Sequence, residues 1–266
     1  MANPSSAASV IPTIIYPFCI HPSMHGKYDA GNVNFRHVYC IMTFIMPTKE
    51  LLTRRKTIIL SIAFVLFWVP VIIFSRLAGE VLEKKPIFLD SSILNWIHAQ
   101  SSPALDVFFL IITTLGNAEV ILPLTLLLTA YLIYKKQRLN AFVLLVSVGG
   151  AAAANTIIKA LFQRERPTFW QSAITETSYS FPSGHAAISC ALLLSVMFIA
   201  WRTKWRWLAI IGGGLIIGLI GVSRLYMGVH YPTDVAAGWS VGLAWVLIVT
   251  SIAYGWSRRN RPPIAE

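Results

Sequence analysis

The sequence contains few charged residues, and acidic residues are the scarcest among them. Of its 266 residues only 12% are charged, with 22 Lys and Arg against 11 Asp and Glu, while 56% are hydrophobic. Soluble domains carry about 25% charged residues, so this composition argues against water as the only solvent. The apolar residues fall in runs close to the roughly 20 residues that span a bilayer. The composition predicts an all-α, polytopic membrane protein.

Cysteine is scarce too, and the start of the sequence has no recognisable targeting signal. The three cysteines are scattered, with neither metal-ligand spacing nor an evident disulfide framework. Residues 1–45 lack the charged start, apolar stretch and small-residue cleavage site of a signal peptide. We expect residues 1–45 to be a disordered or cytosolic tail, or to precede a natural start at Met46. Residues 46–266 are expected to form one membrane domain.

The net charge of +11 does not indicate nucleic-acid binding, because most Lys and Arg residues lie in short clusters between apolar runs. Such clusters mark cytoplasmic loops under the positive-inside rule. Six crossings with both termini in the cytoplasm satisfy this rule throughout. Residues 80–102 then form an exoplasmic loop with an interfacial helix, followed by a short outer-leaflet or re-entrant piece at 104–115. The predicted spans are 57–75, 120–134, 139–161, 184–200, 207–223 and 235–254.

The ionisable residues outside the cytoplasmic clusters and the first outer loop lie at the outer ends of spans three to six. Charged groups at membrane depth are costly, and they are candidates for function. The predicted topology brings them from distant parts of the sequence to one face of the membrane. They are Lys159, Arg166, His185, Arg224, His230 and Asp234.

Two short segments have the chemistry of an anion site. In KALFQRERP (159–167), Lys159 and Arg166 are seven residues apart, so they share one face if the helix persists. Arg can bind two phosphate oxygens at once, although two snorkelling interfacial cations would give the same pair. In PSGH (182–185), Ser183 can cap the next helix, and Gly184 permits close approach to its free N–H groups. Capping explains Ser183 but leaves His185 unexplained.

A third segment, SRLYMGVHYPTD (223–234), has the chemistry of a nucleophile or base. Arg224 supplies another guanidinium, and His230 precedes Asp234 by four residues. A carboxylate that accepts from one imidazole nitrogen fixes the tautomer and leaves the other nitrogen as a nucleophile or base. A purely structural hydrogen bond would use the same pair.

Together the three segments resemble the type 2 phosphatidic acid phosphatase superfamily of membrane lipid phosphatases. The signature of that superfamily is Lys-x6-Arg-Pro, then Pro-Ser-Gly-His, then Ser-Arg-x5-His-x3-Asp. All three parts are intact here, in order, and the resemblance covers about residues 50–255. The first 45 residues are not required by the family pattern.

The resemblance implies a role for each candidate residue. His230 attacks phosphorus and carries a transient phosphohistidine, Asp234 orients it, and His185 protonates the leaving oxygen. Fixed cations replace a metal, so the resemblance implies a metal-independent hydrolase without a cofactor. The residues expected to hold the phosphoryl oxygens are Lys159, Arg166, Ser183, Gly184 and Arg224.

The site is expected at the outer membrane–water boundary, where a lipid headgroup lies. The leading substrate is a lipid phosphate or diphosphate: undecaprenyl diphosphate, which we slightly favour, phosphatidylglycerophosphate or phosphatidate. A lipid phosphotransferase would use the same histidines, whereas a non-catalytic anionic-lipid binding protein or transporter would need only the cations. We expect a bacterial plasma membrane location, with the site facing the periplasm or exterior. No nucleic acid and no obligatory protein partner are inferred.

Overall fold

The computed structural model describes residues 49–84, 87–172 and 174–259, and every regular element within them is an α-helix. The chain divides into a unit Met1–Arg55, of which only the first residues of one helix are described, and a compact unit Lys56–Glu266. The predicted tail at residues 1–45 lies outside the described residues. The helices are α1 (Lys49–Leu82), α2 (Phe88–His98), α3 (Pro103–Thr114), α4 (Ala118–Tyr134), α5 (Arg138–Phe162), α6 (Gly184–Ala200), α7 (Arg206–Tyr226) and α8 (Pro232–Arg259).

Several of these helices are suited to a bilayer. Among the described residues, α5, α7 and most of α8 are long and apolar enough to cross a membrane. Helices α3 and α4 meet at a 45° bend and add a fourth candidate if they count as one broken span. Helix α6 is apolar but shorter, with 17 residues. By length and composition the described helices therefore provide three to four spans, and the six crossings stay a prediction.

Helix α6 lies at the centre of the compact unit, where it packs against α4, α5, α7 and α8. Its buried face carries small side chains, because Ala186, Ala187 and Ala191 are fully buried. Small side chains let neighbouring helices approach closely, as is common in membrane bundles. The residues at the start of α6 are therefore surrounded by other helices of the bundle.

Two glycines of α8 allow this helix to lie directly against α6. A Cβ atom at Gly242 would lie 2.5 Å from the carbonyl oxygen of Ala187, and one at Gly238 would lie 2.6 Å from that of Ser183. The backbone N–H of Ser183 also donates to the carbonyl oxygen of Asp234 at 3.0 Å. The close approach thus holds the second and third sequence motifs side by side.

Helix α2, in the predicted exoplasmic loop, packs on α7 and α8. Its inner side buries Asp90 and Leu94, while Phe88 and Trp96 on the same helix are 80% and 67% exposed. Exposed aromatic residues together with a buried carboxylate are consistent with the interfacial helix that the sequence predicts. The buried carboxylate also reaches the candidate site, as described below.

The close contact between α6 and α8 predicts that Gly242→Ala destabilises the protein. The new methyl group would meet the backbone of α6, which cannot move aside as a flexible side chain does, so we expect a loss of about 1–3 kcal/mol. Gly214→Ala on α7 is the matched control, because a Cβ there meets nothing within 4 Å. It should be neutral or stabilising by up to about 1 kcal/mol. Thermal unfolding in detergent measures both, and equal midpoints for the two variants would contradict the packing account.

Candidate active site

The candidate residues converge at one end of the helical bundle. Lys159 comes from the last turn of α5, Arg166 from the loop that follows it, His185 from the first turn of α6 and Arg224 from the last turn of α7. His230 lies in the short connection to α8. Direct contacts and shared partners in the loop between α5 and α6 link these residues into one cluster. The structure thus brings together the residues that the three motifs predict.

His230 is held between a carboxylate and a cation. Its ring is 1% exposed, and its Nδ1 lies 3.5 Å from Oδ2 of Asp234. Ser180 Oγ lies 3.3 Å from the same Nδ1 and donates to the same carboxylate oxygen. On the other side, Nη1 of Arg166 lies 3.3 Å from Nε2. Because a guanidinium only donates, the lone pair of His230 is on Nε2 and its proton is on Nδ1.

The electrostatic environment keeps His230 in its neutral form. Burial lowers the pKa of His230 to about 4, and this outweighs the opposing effect of the Asp234 carboxylate. The ring is therefore uncharged at neutral pH. A neutral imidazole with a free Nε2 is the state that a nucleophile requires.

Arg166 and Arg224 converge on one carboxylate, that of Glu176 in the loop between α5 and α6. Arg224 Nη2 donates to Oε1 of Glu176, and Arg166 Nη2 lies 3.4 Å from Oε2. Burial raises the pKa of Glu176, but the charges of Arg224 and Arg166 lower it by more than burial raises it. The net shift of the pKa is therefore downward. An ionised carboxylate thus occupies the place where two guanidinium groups meet. This place has the geometry and charge of an anion site.

Two hydrogen-bond donors at the site are left without a partner among the described residues. Arg224 is 1% exposed, and its Nη1 donates to Thr113 Oγ1 at 2.8 Å, yet its Nε makes no hydrogen bond. The Ser183 hydroxyl is buried and also makes none. Ser183 occupies the N-cap position of α6 without a side-chain capping bond, so the capping interpretation of this residue is wrong. Buried donors of this kind are costly unless a ligand completes them.

A cavity of about 670 Å³ lies against the start of α6, next to Ser183 in the sequence. Its wall includes Lys159 from α5, together with Gly184 and His185 from the start of α6. The ammonium group of Lys159 donates to the Tyr179 carbonyl oxygen and lies 3.4 Å from Ser178 Oγ. The cavity also contacts the start of α4, so it lies where α4, α5 and α6 meet.

The sequence interpretation missed Arg164 and Asp90, which support Asp234 on the side away from His230. Arg164 Nη1 donates to Asp234 Oδ1 at 2.6 Å, and its Nη2 donates to Asp90 Oδ2 at 2.9 Å. Asp90 also accepts from the backbone N–H of Thr233 at 3.0 Å. Arg164 lies two residues before Arg166, outside any helix, and the two side chains reach opposite sides of the His230–Asp234 pair. The spacing of Arg164 and Arg166, two residues apart in the sequence, was the available signal.

Three further residues at the site carry no motif signal. Ser180 contacts both members of the His230–Asp234 pair, and Glu176 joins the two guanidinium groups. Asn117, at the break between α3 and α4, places its Oδ1 2.8 Å from Nε2 of His185. Apart from Arg166, which is 10 positions from Glu176, their partners lie at least 48 positions away in the sequence, so only the fold reveals them.

Metal binding finds no support among the side chains that the structure describes. No group of three or more His, Cys, Asp and Glu residues within residues 49–84, 87–172 and 174–259 could hold a metal ion. The positive charge at the site comes instead from Lys and Arg side chains. Metal independence itself stays a prediction.

The chain matches known proteins over this region. The model of the PAP2 superfamily matches residues 140–258. Phosphatidylglycerophosphatase B of Bacillus subtilis is 32% identical over 143 residues, which cover 52% of this chain and 70% of that protein. Undecaprenyl-diphosphatase of Sulfolobus acidocaldarius is 28% identical over 190 residues, which cover 70% of this chain and 86% of that protein.

Two solved structures share the fold. The crystal structure of the transmembrane PAP2-type phosphatidylglycerolphosphate phosphatase from Bacillus subtilis matches with a TM-score of 0.62 and 26% sequence identity. The match covers 76% of this chain and 98% of that one. LpxE from Aquifex aeolicus matches with a TM-score of 0.52 and 25% identity, over 62% of this chain and 96% of that one.

The position of Glu176 predicts that Glu176→Gln tightens the binding of an inorganic anion. The carboxylate repels an anion placed between Arg166 and Arg224, and like charges about 4 Å apart repel by several kcal/mol at an effective dielectric constant near 20. We therefore expect phosphate or orthovanadate to bind at least about tenfold more tightly to the variant, which corresponds to roughly 1.4 kcal/mol. Isothermal titration calorimetry in detergent measures this without requiring turnover.

Glu165→Gln is the matched control for this titration. It removes the same charge from the same loop, but Glu165 is exposed and lies outside the Arg166–Glu176–Arg224 cluster. Its anion affinity should equal that of the wild type. Unchanged or weaker binding by Glu176→Gln would show that the carboxylate does not occupy the anion position.

Proposed function

The chain belongs to the PAP2 superfamily, and from this premise we propose that it is an integral membrane phosphatase that hydrolyses a lipid phosphate or diphosphate. Its relatives are lipid phosphatases by name, and its apolar helices suit a membrane. The proposal includes a phosphohistidine intermediate and independence from metal ions. It also includes six crossings of a bacterial plasma membrane, with the site on the outer face and both termini in the cytoplasm.

The state of the His230 ring is the observation that most strongly supports a phosphatase over a binding protein or transporter. Nε2 of His230 is unprotonated and 3.3 Å from Arg166, while the opposite nitrogen faces the buried carboxylate of Asp234. A binding protein or transporter needs cations for an anionic headgroup, but it does not need a neutral imidazole held in one tautomer beside them. The arrangement therefore favours catalysis over binding alone.

In the first proposed step, Nε2 of His230 forms a bond to phosphorus and the bond from phosphorus to the lipid oxygen breaks. His185 acts as an imidazolium in the complex with the anionic substrate: its Nε2 proton passes to that oxygen, its Nδ1 proton stays, and the ring becomes neutral. The lipid then leaves as an alcohol, or as a monophosphate when the substrate is a diphosphate. The phosphoryl oxygens lie against Arg166, Arg224 and the neighbouring donors. The unpartnered Nε of Arg224 and hydroxyl of Ser183 are available for them.

In the second step, a water molecule attacks phosphorus and the bond from phosphorus to Nε2 of His230 breaks. His185, which lost its proton in the first step, accepts one from the water. Inorganic phosphate leaves, and both histidines return to their starting states. Fixed cations stabilise the negative charge in both proposed steps, which transfer only a phosphoryl group and protons.

The cavity beside His185 suggests how the lipid reaches the site. It lies where α4, α5 and α6 meet and is lined by Lys159. In the proposal a lipid enters sideways from the bilayer at this place, with its headgroup towards Lys159. Phosphatidylglycerophosphate and undecaprenyl diphosphate are the first substrates to test, because two relatives are named for acting on them. Phosphatidate is the third.

Phosphate release by the purified protein in detergent tests the proposal. The panel contains the three lipids, each with and without EDTA, and compares the wild type with His230→Ala. We expect EDTA-resistant release from at least one lipid and a loss of about 10⁴-fold or more in the variant, as expected when a nucleophile is removed. The matched control is His98→Ala, because His98 stacks on Trp170 and lies outside the cluster.

Each failure of this assay has a separate meaning. Release that His230→Ala retains would overturn the phosphohistidine mechanism, and release that EDTA abolishes would overturn metal independence. If phosphate binds but no lipid releases it, the hydrolase proposal fails. Transfer that appears only when an acceptor lipid is added would identify a phosphotransferase.

A further inference from the structure

Asn117 occupies a helix-capping position but does not cap the helix. It is the N-cap residue of α4, where Asn, Asp and Ser are favoured because their side chains accept from the first free N–H groups. Here the side chain makes no capping bond. Its Oδ1 lies instead 2.8 Å from Nε2 of His185, a residue 68 positions away in the sequence. The side chain of Asn117 therefore contacts His185, the candidate acid, instead of capping α4.

This contact requires a proton on Nε2 of His185. A side-chain amide oxygen only accepts hydrogen bonds, so Nε2 of His185 must be the donor. The other neighbour of Nε2 is Nη1 of Arg224, at 3.4 Å. That guanidinium cannot accept the proton. Asn117 is therefore the hydrogen-bond acceptor for a proton that faces the anion site.

The break between α3 and α4 is shaped to make this contact. A Cβ atom at Gly116 would lie 2.8 Å from Cδ2 of His185 and 3.0 Å from Cγ2 of Ile220. Only glycine lets the chain approach the imidazole this closely. The 45° bend between the two helices then directs the next side chain, that of Asn117, onto the ring.

We propose that Asn117 is a positioning residue for the general acid His185. The inference rests on the proposed function. Asn117 holds the proton on Nε2 and fixes the direction of the ring. When the leaving oxygen arrives, the proton passes from Nε2 to that oxygen as the bond from phosphorus to oxygen breaks. The imidazolium keeps its Nδ1 proton and becomes a neutral ring. Water returns a proton to Nε2 in the second step, and the bond to Asn117 forms again.

A comparison of two leaving groups separates this role from a structural one. Octyl phosphate releases an alkoxide that needs a proton, whereas 4-nitrophenyl phosphate releases a phenolate that needs none. The value of kcat/KM is compared because it reports only the steps up to release of the first product. The full chain in detergent is assayed as wild type, Asn117→Ser and Asn117→Asp.

We expect Asn117→Ser to lower kcat/KM for octyl phosphate by about tenfold to hundredfold, a part of the 10²–10⁴-fold that a positioned acid contributes. Serine is too short to reach His185, but it caps a helix as well as asparagine does, so the thermal midpoint should not fall. The rate with 4-nitrophenyl phosphate should stay near the wild-type value. Asn117→Asp keeps an acceptor oxygen and should restore much of the octyl phosphate rate.

The control variant is Asn140→Ser. Asn140 lies in the first turn of α5, at the opposite end of that helix from Lys159, and its side chain bonds Gln137 and Tyr254. It should leave both rates unchanged. Equal slowing of both substrates by Asn117→Ser, or no slowing of either, would overturn the positioning role while leaving the phosphatase proposal intact. A wild-type protein that hydrolyses neither ester would overturn the proposed function and, with it, this inference.

Discussion

The buried carboxylate of Asp234 is the interaction on which the rest of the site depends. It is 0% exposed, and its two oxygens face Arg164 on one side and Ser180 and the His230 ring on the other. Its backbone carbonyl oxygen accepts from the N–H of Ser183. The three sequence motifs are thus joined at one residue. A buried carboxylate without such partners would cost several kcal/mol, so the partners must be in place before the site can form.

The balance of charge at the site follows from the same constraint. Four cations, Lys159, Arg164, Arg166 and Arg224, lie among three carboxylates, those of Asp90, Glu176 and Asp234. Asp90 and Asp234 are bound to Arg164, and Glu176 is bound to the two guanidinium groups that face the anion site. Displacement of Glu176 by a phosphate would exchange one anion for another of higher charge. The site is therefore nearly neutral with Glu176 in place, and its attraction for phosphate would rise once the loop carboxylate moved away.

The helices could be predicted well from the sequence because their limits are set by local signals. The predicted spans 139–161 and 184–200 correspond to α5 (Arg138–Phe162) and α6 (Gly184–Ala200), and basic clusters or the PSGH motif mark their ends. Helix α1 is much longer than the predicted span 57–75, since Lys49–Leu82 continues into polar residues that a hydropathy pattern does not include. The motif residues were identified because their spacing within each segment is fixed.

The supporting residues could not be predicted in this way. Asp90 and Arg164 are 74 positions apart, and Asn117 and His185 are 68 apart. Such pairs leave no periodic pattern, because folding alone brings them together. Asp90 lies in the predicted outer loop, where no sequence pattern connects it with the site, yet it is buried and binds Arg164. Ser183 shows the converse, since local rules predict a cap and the buried hydroxyl instead makes no hydrogen bond.

The most direct test of the account is to locate the phosphoryl group on the protein during turnover. The protein would be mixed with a ³²P-labelled substrate, quenched in alkali within milliseconds, digested and analysed by mass spectrometry. The account predicts an alkali-stable, acid-labile phosphoryl group on the peptide that contains His230, and its absence from His230→Ala. A phosphoryl group on another residue, or turnover without any phosphorylated protein, would contradict the assignment of His230 as the nucleophile.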